Sequence, residues 1–290
     1  MAEFTVIPDA NVEPDKPARA LDGLALRDNP IAIAEGAATA PRIKRNALAH
    51  VFTFTTSGSI DVNPYDDALF AHIFCWGAGG SGAKWNLTNA SAAGGGGGGF
   101  GYLVTTVAYL KTISGGVIPV TVGTGGASRP GGGSNVFGAD GGSSYVDIDG
   151  FHFGGGGGKG GTAFTSSGAG DEVSGAGGFA GLINPISASE LNSLSGEVGG
   201  GARVVVPDSM RGGSSVRAGA GGGSGERIGT VTFNVGGKSL YGGDGGDAGT
   251  TVLASTPGQF PGGGGGGSCY GTDSGAGANG LVIIELRETP

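Results

Sequence analysis

The sequence predicts a mainly β protein, a glycine-rich domain whose short β-strands and hairpins flank a bundle of polyglycine-II helices. An extended N-terminal arm and almost no α-helix complete the expectation. Three observations carry it. Glycine takes 69 of 290 positions, against an average usage of roughly 7%. The glycines are clustered, because only Gly23, Gly36 and Gly58 precede Gly77, and runs then fall at residues 94–99, 154–158, 199–201, 221–223 and 262–267. Short apolar stretches of strand period, bounded by turn residues, lie between the runs.

Residues 1–47 are written in a different style. They hold Pro8, Pro14, Pro17, Pro30 and Pro41, short apolar patches and the basic cluster Arg42-Ile43-Lys44-Arg45. Such a segment cannot bury a core of its own and reads as an arm that orders by docking on a partner. Residues 48–290 form the second expected domain. There Val51 to Thr55 alternates, residues 68–76 are continuously apolar, and strands are expected at 101–107 and 118–122. Residues 144–148 and 151–153 flank Asp149-Gly150, a two-residue hairpin signal. A second hairpin is expected at 230–235 and 238–241, turning on Gly236-Gly237, and a closing strand at 281–286. Ser187-Ala188-Ser189-Glu190 before Leu191 and Leu194 reads as one short capped helix inside a long loop, residues 159–198.

A glycine run can adopt an extended left-handed helix of about three residues per turn and about 3.1 Å per residue, with no internal hydrogen bonds. Ordering it costs about 1–2 kcal/mol per residue in backbone entropy. A net hydrogen bond returns roughly 1 kcal/mol and a Cα–H···O contact about 0.5. A single helix loses on these terms, whereas a lattice in which each helix touches several neighbours can hold. Collagen is excluded because no strict triplet period runs through the chain.

Other chemistries are weak. The run HIFCWGAGGSG places Gly77, Gly79 and Gly82 at dinucleotide-turn spacing. That motif works only when its glycines open a helix, and the AKWNLTNASAAGGGGGG that follows cannot sustain one. A phosphate loop fails because Lys159 is followed by Gly160, and because Thr232 stands where the first glycine before Lys238-Ser239 should be. His50, His72 and His152 are isolated, and Cys75 and Cys269 read as buried thiols. Asp244 and Asp247 resemble one unit of a calcium-binding nonapeptide repeat without its tandem recurrence. The net charge of −8 disfavours nucleic acid. No apolar run reaches the ~18 residues of a membrane span, so membrane insertion is not expected. The chain is expected to be no enzyme and to need no cofactor or metal.

The order Phe52-Thr53-Phe54-Thr55, then Ala71-His72-Ile73-Phe74-Cys75-Trp76-Gly77-Ala78-Gly79-Gly80, resembles the glycine-rich domains of phage tail-fibre and tip-adhesin proteins. The match continues through Val120-Thr121-Val122-Gly123, Gly141-Gly142-Ser143-Ser144 and Asn279-Gly280-Leu281-Val282-Ile283. It implies polyglycine helices packed as a sandwich, connecting loops that contact a bacterial surface receptor (outer-membrane protein or glycan), and a place in the virion tail after synthesis in the host cytoplasm. The stretch from Asn29 to Gly36 resembles a tail-docking segment. Pro30, Ile31, Ile33, Arg42, Ile43, Lys44 and Arg45 are therefore the docking candidates, with other tail or baseplate proteins as partners and several copies per tail, a homotrimer among the options.

Recognition is expected on loops that carry what glycine cannot supply. Lys84, Trp85, Asn86 and Leu87 form the first candidate group. Phe164 with Asp171, Glu172, Ile183 and Asn184 forms the second, Arg203, Met210 and Arg211 the third, and Gln259 with Phe260 the fourth. A purely structural tail component of the same fold and an ice-binding polyglycine protein are the rival readings.

Overall fold

The chain divides into two units, Met1–Ala47 and Leu48–Pro290. The computed structural model describes residues 48–86, 90–132, 136–165, 172–175, 177–178, 180–182, 193–197, 202–205, 208–209, 212–226, 232–249, 253–269 and 271–288. All seven docking candidates lie outside them, as do Leu87, Asp171, Ile183, Asn184, Met210 and Arg211.

In chain order the strands are β1 (Leu48–Phe54), β2 (Gly58–Asp61), β3 (Phe70–Trp76), β4 (Ala90–Ala92), β5 (Phe100–Thr106), β6 (Val117–Thr121), β7 (Ser144–Ile148), β8 (Phe151–Gly155) and β9 (Ala163–Thr165). They continue as β10 (Glu172–Gly175), β11 (Ala180–Leu182), β12 (Ser193–Glu197), β13 (Ala202–Val205), β14 (Asp208–Ser209), β15 (Gly225–Glu226), β16 (Thr232–Phe233) and β17 (Leu281–Arg287). Two five-stranded antiparallel sheets, β1-β17-β3-β5-β12 and β11-β8-β7-β6-β2, pack face to face. The first contributes Ala71, Ile73, Cys75, Leu103, Val282, Ile284 and Leu286 to the core, and the second Ile60, Ile118, Val120, Val146, Ile148 and Phe153. These residues recur at every second position, which is the pleat sorting side chains between faces.

The β7–β8 hairpin turns where the Asp-Gly signal stands, with φ of 54° at Asp149 and 81° at Gly150, as a primed turn requires. A short helix, α1 (Val107–Thr112), starts directly after β5. Thr106 caps it by accepting a bond from the Tyr109 amide, and Val107 and Leu110, three apart, bury against the sandwich. The sequence reading assigns Val107 to the preceding strand, because the apolar run continues across the cap.

Beyond the sandwich the glycine runs form rods. Along residues 77–84 the amides donate in rotation. Gly77, Gly80 and Ala83 bond the carbonyls of Gly99, Gly96 and Ala93, while Ala78, Ser81 and Lys84 bond Gly142, Ala139 and Val136, all at 2.8–2.9 Å. Gly79 and Gly82 bond Ala278 and Gly275. The carbonyls rotate likewise: Ala78 and Ser81 accept from Gly158 and Gly161, Gly79 from Gly126, and Gly80 and Ala83 from Gly265 and Ser268. A three-residue turn pointing successive peptides at different partners is the polyglycine-II geometry. The central rod is thus bonded to six surrounding runs. Five of those runs continue straight into β5, β7, β17, β8 and β6.

At the lattice surface, where a rod lacks a backbone neighbour, short polar side chains take over. Asp244 Oδ1 and Asp247 Oδ1 accept from the amides of Ser239 (2.8 Å) and Gly236 (2.9 Å), again three residues apart. The rod period therefore accounts for the Gly-Gly-Asp repeat. Asn279 Oδ1 and Asp140 Oδ1 accept from Gly125 and Gly160, each at 2.8 Å.

Three expectations are corrected. Gly236 and Gly237 make no hairpin turn; the Gly237 amide bonds Gly221 and its carbonyl accepts from Gly245, so the segment is one more rod. Leu194 belongs to β12, paired with Leu103 of β5, and not to a helix, while Ser187 to Leu191 of the expected helix lie outside the described residues. The described residues of 159–198 do not form one projecting loop, since they supply a rod and the paired strands β9 to β12.

Candidate functional site

The outer face of the first sheet is aromatic. Phe74 and Trp76 of β3 and Phe100 and Tyr102 of β5 share the parity opposite to the core residues, and the register sets Phe74 beside Tyr102 and Trp76 beside Phe100. Ring centroids are 4.8 Å apart for Phe74–Tyr102, 4.9 Å for Trp76–Phe100 and 6.4 Å for Phe74–Trp76. Trp76 and Phe100 are buried, packed with Ala218 and Leu281, whereas Phe74 and Tyr102 remain half-buried.

Two turns that return rods to this end of the lattice form the wall. The amides of Leu240 and Tyr241 bond the Val216 carbonyl at 3.2 and 2.9 Å, and Ser239 Oγ donates to the Ala218 carbonyl at 2.8 Å. The Trp76 indole N–H reaches the Arg217 carbonyl at 2.7 Å, which ties wall to floor. Together Phe74, Trp76, Phe100, Tyr102, Arg217 and Tyr241 line an open cleft of about 430 Å³.

His72 Nδ1 and the Tyr102 hydroxyl lie 2.8 Å apart beneath the cleft. Burial pushes the Tyr102 phenol above its usual range; Arg287 opposes that shift, Glu285 adds to it, and Arg217 opposes it. The phenol is therefore a neutral hydrogen-bonding group at ordinary pH. Arg287 pairs with Glu285 on the same strand face, and Arg217 is the cation in the lining of the opening. Among the described residues no group of three or more His, Cys, Asp or Glu side chains could hold a metal ion, and no helix is long and apolar enough to cross a membrane.

The expected loop residues scatter. Lys84 is a correction: its side chain is 1% exposed, its backbone bridges Val136 and Ser268 inside the lattice, and its ammonium donates to the Gly132 carbonyl. It ties rods together and is closed to a partner. Trp85 is half-buried against Ala83, Ala92 and Cys269, and Asn86 is exposed. Phe164 pairs with Ser91 in a four-stranded sheet at that same far end of the rods. Glu172 and Arg203 come together in the three-stranded sheet β10-β13-β14, with Glu172 opposite Val205 and Ser174 opposite Arg203.

Gln259 and Phe260 are both exposed, Phe260 at 52%. They sit at the sheet end, where the Gln259 carbonyl accepts from Gly263 and its amide bonds Asp244. Val216, Leu240 and Tyr241 project from neighbouring turns at 54%, 71% and 64% exposure. Reading glycine and charge along the chain missed these three residues and the aromatic floor. The available signal was aromatic recurrence at every second position, Phe74 and Trp76 in one strand and Phe100 and Tyr102 in another.

Cys75 and Cys269 are thiols buried in separate clusters, Cys75 between the sheets and Cys269 beside Trp85, where its Sγ donates to the Gly225 carbonyl. Burial pushes the Cys75 thiol far up, so it stays protonated.

Residues 55–287 match the family described as Glycine-rich domain, and the chain belongs to that family. No curated protein matches it.

Proposed function

We propose that this chain is a non-enzymatic tail-fibre or tail-tip adhesin of a phage, docked on tail or baseplate proteins through residues 1–47 and contacting a bacterial surface receptor at the ends of its polyglycine rods. The observation that carries this reading is the contrast between a lattice bonded on every side and the large apolar side chains exposed at its turns. Val216, Leu240, Tyr241 and Phe260 crowd one end, and a stiff body is what allows turns to be held out in fixed positions. Exposed aromatic anchors of this kind are what binding surfaces use. They also break the flat field of small residues that an ice-binding face would need. The likeness to phage tip adhesins supplies the biological setting, and the acidic net charge agrees with a partner other than nucleic acid.

The test is a particle carrying Leu240→Ser together with Phe260→Ser. Intact particles that no longer adsorb to host cells support the adhesin. Particles that fail to assemble point to a structural tail component, and normal adsorption overturns the assignment of this end as the contact surface.

A further inference from the structure

We propose that the cleft bounded by Phe74, Tyr102, Arg217 and Tyr241 is a saccharide-binding site that takes hexopyranose units of a bacterial surface glycan. The proposal rests on the recognition role above and names its ligand class. The volume of about 430 Å³ lies within the roughly 300–1,000 Å³ typical of small-ligand sites. With Trp76 and Phe100 buried beneath, the rings that meet solvent are Phe74, Tyr102 and the 64%-exposed Tyr241. Phe74 and Tyr102 stack on each other at 4.8 Å and 26°, giving an apolar ridge on the floor, and Tyr241 rises from the wall with its ring exposed.

Three other ligand classes would fit an aromatic cleft, and the surroundings disfavour each. A fatty chain needs enclosure, and this cleft is open along one side. A polyphosphate needs several cations; the lining residues include one, Arg217, and neighbouring Arg287 is neutralised by Glu285. A quaternary ammonium would be drawn to the aromatic faces but repelled by the Arg217 cation in the lining. A pyranose asks for what is present: an exposed aromatic ring for its C–H face, here Tyr241 above the Phe74–Tyr102 stack, and hydrogen-bonding groups at the perimeter, the Arg217 guanidinium and the Tyr241 hydroxyl. The site is also pre-formed. The backbone bonds from Leu240 and Tyr241 to Val216 and the indole bond to Arg217 hold the wall before any ligand arrives, so little ordering is left to oppose weak contacts.

The experiment uses the full chain carrying Trp85→Phe, so that Trp76 alone reports by fluorescence, and titrates maltohexaose, cellohexaose, chitohexaose and de-acylated bacterial lipopolysaccharide. At least one should shift the emission with saturation, and Tyr241→Ala and Arg217→Gln should each weaken that titration at least about tenfold. Both side chains are exposed, so the melting temperature should be unchanged, and Phe137→Ser at the opposite end should bind as the parent does. No saturable response from any of the four at millimolar concentration, or equal affinity in the variants, overturns the saccharide assignment. Should that happen while Leu240→Ser/Phe260→Ser particles still lose adsorption, the recognition role stands without it. If Tyr241→Ala abolishes saccharide binding but its particles adsorb normally, the cleft binds saccharide without being the receptor contact, and the assignment to a host-surface glycan is overturned.

Discussion

Residues 71–75 and 77–84 are one continuous stretch of chain, yet they hold the molecule together by opposite means. In the first, Ala71, Ile73 and Cys75 fill the space between two sheets and are wholly buried. In the second, the space is closed by having nothing to fill it. A Cβ placed on Gly77, Gly79, Gly80 or Gly82 would lie 2.0–2.2 Å from a carbonyl oxygen of a neighbouring rod. Dense packing can come from interlocking side chains or from backbones brought so close that their peptide groups bond directly. The second route needs all six sides of a rod occupied, because an ordered glycine costs more entropy than any other residue. The sandwich secures this by continuing five of the six surrounding runs into its own strands.

The largest expected effect separates the two routes. Gly82→Val would set its side chain into the Gly266 carbonyl; with backbone on every side it should cost more than about 4 kcal/mol or prevent folding, read by guanidinium denaturation. Tolerance of that change would disprove the lattice. Amide exchange sharpens the same point, since the N–H groups of Gly80, Gly95 and Gly265, each bonded within the lattice, should exchange as slowly as those of β3. In the sandwich, Ile73→Ala should cost about 2–5 kcal/mol, the range for a buried aliphatic leaving a cavity.

The lattice surface should be gentler. Asp247→Ala removes the acceptor for the Gly236 amide and should cost about 1–3 kcal/mol, whereas Asp247→Asn keeps an acceptor and should cost less. The smallest effect is electrostatic. Burial works against ionising Asp244, but the bonds from Lys238 and Ser239 outweigh it and hold the carboxyl below its ordinary value. Burial likewise opposes ionisation of Asp140, and there Lys159 and Gly160 prevail. A depressed carboxyl contributes stability that is present above its unfolded pKa and lost as pH falls through the folded one. The melting temperature should therefore be level above about pH 4 and decline below it. Asp244→Asn should remove part of that decline and cost under about 1 kcal/mol at neutral pH, the usual size for an exposed pair.

Much of the sandwich was legible because a strand with one buried face must alternate. β1 is visible in its alternation, β3, β5, β7, β8 and β17 as short apolar stretches, and Asp149-Gly150 announces its turn through the positive φ both residues adopt. The rods were legible as a class from clustered glycine. Their boundaries were not, because a segment such as residues 234–238 differs from a hairpin only in which rods lie beside it. Lys84 shows the same limit: a lysine next to a tryptophan suggests a surface loop, and only the enclosing rods, with the Gly132 carbonyl within reach, make it an interior tie. Of the candidate site, Gln259 and Phe260 were foreseen as projecting. The aromatic floor was read as strand interior, since period two names a face without saying what covers it.

By itself, the sequence determined that this chain alternates short apolar strands with glycine rods, because each is written in its composition, and the three-residue turn of the rods became visible only through their hydrogen bonds. Ala78, Ser81 and Lys84 stand three apart in the central rod, as Asp244 and Asp247 do at the surface. Only the tertiary structure decided which rods are neighbours, which end gathers Tyr241 beside Phe74, and which charges are enclosed. Glycine carries no side chain to specify a partner, so pairing among rods is set by the strands and turns that deliver them.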